Sequence, residues 1–298
     1  MLLSFLRRRL ALLLAILALG SLAAACGADS ATVNGSEDAE TAATSSEGPA
    51  LEHIHGLGVG DDGRMLIATH HGLFAAENGE TTPKQISEHT QDIMGFAAVS
   101  EDRLIGSGHP SAQQNLPPHL GLIESRDGGK TWKNVSLPGE ADFHALEASG
   151  DKIYGYNGLS GELLVSSDGG RNWRRETPPA AVFDLAVDPE NDSRVVASTE
   201  QGVLMSTNSG KSWRPLRRDM TGLVAWSADD DQLYLVDGQG NVHASSDAGR
   251  RWKKRGNVGG QPVAFTASDG DLYAAHADGT VVRSDDGGDG WTVRTTAS

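Results

Sequence analysis

The sequence is poor in cysteine, aromatic residues and basic residues. Cys26 is the only cysteine among 298 residues, so the chain has no second thiol with which to form an internal disulfide. Aromatic residues make up 5% of the chain, and a core must therefore be built mainly from aliphatic side chains. Lysine and arginine total 25 against 40 aspartates and glutamates, a formal net charge of −15. Such an acidic chain is not expected to bind nucleic acid.

The chain also lacks an apolar run long enough for a typical membrane-spanning helix. The apolar stretch from Leu10 to Leu22 is short, follows three arginines and ends in small residues, which predicts a signal for export over residues 1–25. Its end, Leu22-Ala-Ala-Ala-Cys26, resembles a bacterial lipoprotein signal, which implies cleavage before Cys26 and acylation of its sulfur. The alternative is an ordinary secreted protein with a stray cysteine.

Residues 26–50 contain almost no large apolar side chains. Alanine, serine, threonine, glycine and acidic residues dominate this stretch, so it cannot bury enough surface to fold. We predict an acylated Cys26 followed by a disordered tether, which holds a domain over residues 51–298 at the extracytoplasmic face of the membrane. Removal of the three signal arginines would change the net charge to about −18.

That domain contains one eight-residue motif five times. Every copy has Ser, Asp or Asn, Gly and Trp at positions 1, 3, 5 and 8, and the tryptophans are 41, 40, 39 and 39 residues apart. The copies are Ser125–Trp132, Ser166–Trp173, Ser206–Trp213, Ser245–Trp252 and Ser284–Trp291. A period near 40 residues with turn signals in phase is typical of a propeller or solenoid.

Each copy predicts a turn between two strands. The Asp or Asn side chain can accept backbone N–H bonds within the turn, and the Gly can adopt positive φ. The tryptophan should then begin the next strand, and we expect the five rings to occupy equivalent buried positions. Asn208 replaces Asp in the third copy and Gly290 replaces Thr in the fifth, so we expect those two turns to be looser.

The motif resembles the Asp-box, or BNR repeat, of sialidases, sortilin-type receptors and photosystem assembly propellers. Only the first copy, Ser-Arg-Asp-Gly-Gly-Lys-Thr-Trp, matches that pattern in full. The resemblance implies a structural element that lies far from catalytic residues. It therefore predicts architecture and says little about function.

Residues 51–298 are long enough for six units of about 40 residues. We predict an all-β fold, a six-bladed β-propeller with four-stranded antiparallel blades and Asp-box turns between strands three and four. The first blade is degenerate, because no tryptophan follows Ala75-Ala-Glu-Asn-Gly79. The second blade has an inserted loop, Gly108 to Gly121, whose three prolines keep it out of a sheet. Long loops on a rigid scaffold often carry function, although a plain surface excursion is an equal alternative.

Histidines collect on the face opposite the repeated turns. Eight of the ten histidines lie between residues 51 and 144, within the first three blades. Alignment of the repeats places His55 and His144 at one point of the innermost strand, and His71 and His109 together after strand two. These four residues are the predicted metal ligands, with zinc or copper as the metal and Asp142 as a supporting acid. The alternative is that they are loop histidines bonded to the backbone or to water.

The segments His53-Ile-His-Gly-Leu-Gly58 and Thr69-His-His-Gly-Leu-Phe74 also resemble bacterial lipoprotein propellers that carry a loose glycosylhydrolase label. Two functions stay open. The first is an anchored binding module for an extracellular glycan or protein, with His55, His71, His109, His144 and Asp184 as predicted ligand-binding residues. The second is a glycoside hydrolase related to exo-sialidases, which needs two carboxyl groups. Candidate acids on this face are Glu52, Asp92, Asp142, Asp184 and Glu200, and the arginine clamp of a sialidase is not evident.

Overall fold

The computed structural model describes residue 51, residues 53–100 and residues 102–297. These residues form 24 strands in six four-stranded antiparallel sheets. None of them belongs to a helix long and apolar enough to cross a membrane. The predicted signal peptide, Cys26 and the tether lie outside the described residues, so those predictions stay predictions.

The strands follow chain order within each sheet. The first sheet contains β1 (Ile54–Val59), β2 (Met65–Thr69), β3 (Gly72–Ala76) and β4 (Lys84–Gln85). The second contains β5 (Asp92–Ser100), β6 (Arg103–His109), β7 (Leu122–Ser125) and β8 (Lys133–Ser136). The third contains β9 (Phe143–Ser149), β10 (Lys152–Asn157), β11 (Glu162–Ser166) and β12 (Arg174–Glu176).

The second half of the domain repeats this arrangement. The fourth sheet contains β13 (Val182–Val187), β14 (Val195–Thr199), β15 (Gly202–Ser206) and β16 (Arg214–Arg217). The fifth contains β17 (Gly222–Trp226), β18 (Leu233–Asp237), β19 (Asn241–Ser245) and β20 (Lys253–Asn257). The sixth contains β21 (Pro262–Ser268), β22 (Asp271–His276), β23 (Val281–Ser284) and β24 (Thr292–Thr295).

The first strands of neighbouring sheets pack against one another around a closed ring, with β21 of the last sheet against β1 of the first. The fold is a six-bladed β-propeller. Middle strands such as β2, β3 and β14 are buried along their whole length, because a neighbouring blade covers each face of the sheet. The fourth strands are largely exposed and begin with a lysine, an arginine or a threonine. Charged side chains on such edges oppose pairing with another chain.

The repeated motif forms the turn between the third and fourth strands of blades two to six, as predicted. In the first copy, Ser125 Oγ donates to Asp127 Oδ1 at 2.8 Å and accepts from the Gly129 N–H at 2.9 Å. Asp127 Oδ1 also accepts from the Thr131 N–H at 2.9 Å. Gly129 has a φ of +89°, and a β-carbon there would lie 2.2 Å from Leu73 Cδ2. The turn thus satisfies its own polar groups and lets the preceding blade approach closely.

Both variant copies keep the backbone hydrogen bond that the motif side chain accepts. Asn208 Oδ1 accepts from the Ser212 N–H at 3.0 Å, and Asp286 Oδ1 accepts from the Gly290 N–H at 2.9 Å. The third copy is not looser, because Asn208 Nδ2 also donates to Ser212 Oγ at 2.9 Å. In the fifth copy, Gly290 has no side chain that could replace the bond from Thr131 Oγ1 to Asp127 Oδ2 of the first copy, so this turn has one side-chain hydrogen bond fewer, as expected.

The five motif tryptophans are equivalent, but they are only partly buried. Each ring packs on the apolar cluster between its own blade and the preceding blade. Trp173, for example, lies 5.2 Å from the Phe143 ring, and its Nε1–H donates to Ser136 Oγ at 2.9 Å. The rings are therefore less buried than predicted, because each tryptophan immediately precedes the outermost strand of its blade.

Side chains close the ring between the last and first blades. An apolar cluster joins Leu57, Ile67 and Phe74 to Tyr273 and Val281. The guanidinium of Arg294 donates to four backbone carbonyls of the first blade. The degenerate first blade is therefore held by apolar packing and by one multidentate arginine.

Candidate functional site

The site begins where two strands of the second blade end side by side. Asp92 is the first residue of β5 and pairs directly with His109, the last residue of β6. Gly108, with a φ of +145°, precedes His109, and a β-carbon there would lie 2.1 Å from the Asp92 carbonyl oxygen. Glycine is therefore required for the two strands to meet at this point, and their meeting places the His109 ring beside the Asp92 carboxylate.

Asp92 lies among histidines of the first two blades. Its Oδ2 is 3.2 Å from His109 Nδ1 and 3.9 Å from His70 Nε2. Its Oδ1 is 3.6 Å from His55 Nε2. The His55 and His70 rings stack with their centroids 4.6 Å apart, and the exposed His53 ring lies 4.8 Å from His70. The start of β1 and the turn after β2 thus supply one imidazole each at this carboxylate, and the end of β6 supplies a third.

Asp142 is the centre of a second group and is only 3% exposed. Its Oδ2 lies 3.1 Å from His144 Nε2, 3.3 Å from His109 Nε2 and 3.7 Å from His119 Nδ1. Asp142 immediately precedes β9, where its backbone N–H donates to Asn157 Oδ1 at 3.0 Å. This bond fixes the backbone that carries the carboxylate.

The inserted loop of the second blade supplies His119. Gln114 Nε2 donates to Gln91 Oε1 at 3.3 Å, next to Asp92, and the Leu120 N–H donates to Gly108 O at 2.8 Å. The His119 ring lies edge-on to His109 with centroids 5.4 Å apart. The insertion is therefore folded back over the histidine face.

We refer to these seven side chains as the His–Asp cluster. Its members are Asp92, Asp142, His55, His70, His109, His119 and His144. Every ion-pair partner of the two aspartates among the described residues is a histidine. Within the same part of the chain, four buried atoms of the cluster have no hydrogen-bond partner: His55 Nε2, Asp92 Oδ1, His119 Nδ1 and Asp142 Oδ1. Buried polar atoms of this kind carry a desolvation cost that a bound ligand would offset.

Burial and charge set the protonation of the cluster. Burial, opposed by the Asp92 charge and reinforced by neighbouring histidines, lowers the pKa of His55 to about 4, so that His55 is a neutral donor at pH 7. Burial alone would raise the pKa of Asp142. The hydrogen bond from His144 and the charges of the surrounding histidines outweigh it and lower that pKa below its ordinary value. The same hydrogen bond raises the pKa of His144, against the effect of burial.

The cluster lies at the mouth of a central channel with a volume of about 380 Å³, and His55 and His144 contribute to its wall. Deeper in the wall are two acids, Glu147 and Asp184. Burial raises the pKa of each carboxyl to about 7, and the Asp184 charge adds to the effect on Glu147. Asp184 accepts from the Val224 N–H at 2.8 Å and the Leu185 N–H at 2.9 Å. It thereby links the first strands of blades four and five.

The structure brings together three of the four predicted histidines: His55, His109 and His144. His71 lies in the two-residue turn after β2, with its carbonyl bound by Gln85 Nε2 at 2.8 Å, and neither carboxylate-centred group of described residues includes its ring. Its neighbour His70 contacts Asp92 instead. Asp184 lies in the channel wall, bonded to backbone rather than to the histidines.

Sequence reasoning did not include His70 and His119 among the metal ligands. It considered Asp92 only as a candidate hydrolase acid, and Asp142 both as such an acid and as a supporting acid of the metal site. His70 and His71 lie in a turn, where the alternation of side chains along a strand no longer predicts which of the two faces the propeller axis. The central place of the two aspartates could have been predicted, because each stands two residues before an aligned position of the innermost strand, Met94 in one blade and His144 in the next.

No protein-family model matches the chain. Among curated proteins, it is similar to the photosystem II stability/assembly factor HCF136 of Arabidopsis thaliana, with 28% identity over 104 aligned residues. That match covers 31% of this chain and 25% of the assembly factor. The chain thus spans about a quarter of the curated relative it matches.

Solved structures show the same fold at low sequence identity. The GH74 enzyme of Niastella koreensis superposes with a TM-score of 0.62 at 14% identity, over 83% of this chain and 46% of the enzyme. A chain of a nidogen–laminin complex superposes with a TM-score of 0.59 at 17% identity, over 74% of this chain and 89% of that chain. Virginiamycin B lyase of Staphylococcus aureus superposes with a TM-score of 0.55 at 15% identity, over 82% of this chain and 84% of the lyase. At these identities the likeness shows the propeller fold alone, in enzymes and in a binding complex alike.

Proposed function

We propose that this chain is an exported, lipid-anchored binding propeller whose ligand is a transition metal ion, zinc or copper, held by the His–Asp cluster. The observation that carries the proposal is the convergence of five imidazoles on two buried or half-buried aspartates, with four donor atoms that have no hydrogen-bond partner. Imidazole nitrogen with carboxylate oxygen is a donor set that suits zinc and copper.

The spacing of the donors supports this ligand class. Metal–nitrogen bonds of 2.0–2.1 Å in a tetrahedral site place neighbouring donor atoms about 3.3 Å apart. The six histidine–aspartate separations run from 3.1 to 3.9 Å, close to that edge length. His55 supports binding at neutral pH, because a metal ligand must be a neutral imidazole and its pKa of about 4 keeps it so.

The hydrolase alternative has less support. A glycoside hydrolase needs its substrate between two carboxyl groups. Here the His109 ring stands between Asp92 and Asp142 and contacts both of them. The channel acids offer no better pair, since both oxygens of Asp184 accept backbone hydrogen bonds. The partial match to an assembly factor also supports a binding function over a catalytic one.

The test is a titration of the metal-free full chain, purified without a polyhistidine tag, with Zn²⁺ and separately with Cu²⁺. We expect saturable binding, which Asp142→Asn weakens by at least tenfold because that aspartate contacts three of the histidines. Loss of an outer-sphere partner alone typically costs about 10–100-fold in affinity.

The adjacent histidines supply a matched control. His70→Ala removes a side chain that contacts Asp92, whereas His71→Ala removes its neighbour in the same turn, which is outside both groups. We expect only the first substitution to weaken binding. Equal effects of the two variants, or no saturable binding by the unmodified chain, would refute the assignment of the cluster as the metal site.

A further inference from the structure

His109 occupies a special place in the His–Asp cluster, because its two ring nitrogens contact different carboxylates. Nδ1 lies 3.2 Å from Asp92 Oδ2, and Nε2 lies 3.3 Å from Asp142 Oδ2. The two nitrogens of an imidazole point away from each other, so a single metal ion cannot bind both. A lone ion would therefore satisfy one aspartate and leave the other with its buried oxygen unpaired.

Each nitrogen of His109 belongs to a separate set of donors. On the Nδ1 side are Asp92, His55 and His70, and on the Nε2 side are Asp142, His119 and His144. In each group, one aspartate and two of the histidines offer donor atoms within 4.8 Å of one another. Counting His109 on both sides, each set has three nitrogens and one carboxylate, the four donors of a tetrahedral zinc site.

We infer that the cluster binds two metal ions, one in each set, with the His109 imidazole as the bridge between them. The inference rests on the proposed metal-binding function and specifies its stoichiometry and geometry. Asp142, which is 3% exposed and has an oxygen without a hydrogen-bond partner, anchors the more buried ion, and Asp92 anchors the other.

The charges and protons of the bridged state balance without a redox step. A neutral imidazole carries one N–H, so the first ion binds the bare nitrogen of His109 and the second displaces the remaining proton to solvent. Two divalent cations then face the two aspartates and one imidazolate, which leaves a single net positive charge.

The bridge also sets the distance between the ions. With bonds of 2.0–2.1 Å on opposite sides of one ring, the two ions lie about 6 Å apart. Hydrolytic two-metal sites hold their ions about 3.5–4 Å apart, close enough to act on the same oxygen. The wider spacing fits a site that binds and retains metal rather than one that activates a shared water.

Stoichiometry is the first test, measured by elemental analysis of the untagged full chain after Zn²⁺ loading and gel filtration. We expect two equivalents in the unmodified protein and one in either His70→Ala or His119→Ala, each of which damages one set. The His71→Ala variant should still bind two equivalents of zinc. A circular dichroism spectrum and a thermal melt of each variant confirm that it is folded.

The bridge itself is tested in the unmodified protein loaded with Cu²⁺. Two copper ions joined by an imidazolate couple their spins, so the integrated electron paramagnetic resonance signal should fall well below the total copper. His119→Ala, with one copper, should recover a signal equal to its copper content.

The outcomes separate this inference from the proposed function. One equivalent in the unmodified protein would overturn the two-metal inference and leave metal binding intact. No bound metal would overturn both. Two equivalents with a full, uncoupled copper signal would overturn the His109 bridge.

Discussion

Asp184 should make the folded protein less stable as pH rises from about 4 to about 7. Burial raises the pKa of this carboxyl to about 7 in the folded channel, whereas an unfolded chain ionises it near 3.8. Between these values the unfolded state binds fewer protons than the folded state, and the free energy of unfolding therefore falls with rising pH. Asp184→Asn removes the titration and keeps a side-chain oxygen that can accept the Val224 N–H.

The magnitude follows from the size of the shift. A change of about three pKa units corresponds to about 4 kcal/mol, and screening by water in the channel reduces this to about 2 kcal/mol. The turn aspartates do not interfere in this window. Hydrogen bonds, above all from the side chain four positions later, lower the pKa of Asp127, Asp168 and Asp247 to about 2. Their contribution is complete above about pH 4 and is lost only below it.

The assay is urea unfolding at pH 5 and pH 8, followed by tryptophan fluorescence. Between these two conditions, which cover about two thirds of the titration range, the unmodified protein should lose about 1 kcal/mol more than Asp184→Asn. Glu200→Gln, which neutralises an exposed acid on the same face, serves as the control and should behave as the unmodified protein does. Identical pH dependence in Asp184→Asn and the unmodified protein would refute the reasoning.

Three further predictions concern packing, ring closure and anchoring. Trp173→Ala should lower the free energy of unfolding in urea by about 2–3 kcal/mol. This loss is below the range for a fully buried ring, because the tryptophan is only partly buried. A loss under about 0.5 kcal/mol would contradict the packing described. Arg294→Met should cost about 2 kcal/mol in the same assay by leaving carbonyls of the first blade unpaired, whereas the exposed Arg126→Met should cost little. Cys26→Ser should release the folded domain from washed membranes, and retention there, detected by immunoblot, would contradict a lipid anchor.

The fold could be predicted from the sequence because one motif recurs in phase with the strands. Hydrogen bonds join Ser125, Asp127 and Gly129 within the turn, so the motif specifies the local structure without help from distant residues. The degree of burial of the tryptophans could not be predicted in the same way. It depends on how the outermost strand meets the neighbouring blade, which is a long-range property of the ring.

The candidate site was only partly predictable. Alignment of equivalent strand positions located His55 and His144 correctly at the mouth of the channel. The choice between His70 and His71 depends on a two-residue turn, and the position of His119 depends on how a proline-rich insertion folds back. The meeting of Asp92 with His109 arises from cross-strand pairing, which the sequence of either strand alone does not reveal.

Anomalous diffraction from a zinc-loaded crystal, recorded at the zinc absorption edge, tests the central claim most directly. The account predicts two peaks inside the His–Asp cluster, one on each side of the His109 ring, each about 2.0–2.2 Å from its nitrogen and oxygen ligands. A map with no peak among these side chains, or with zinc bound only elsewhere on the propeller, would contradict it.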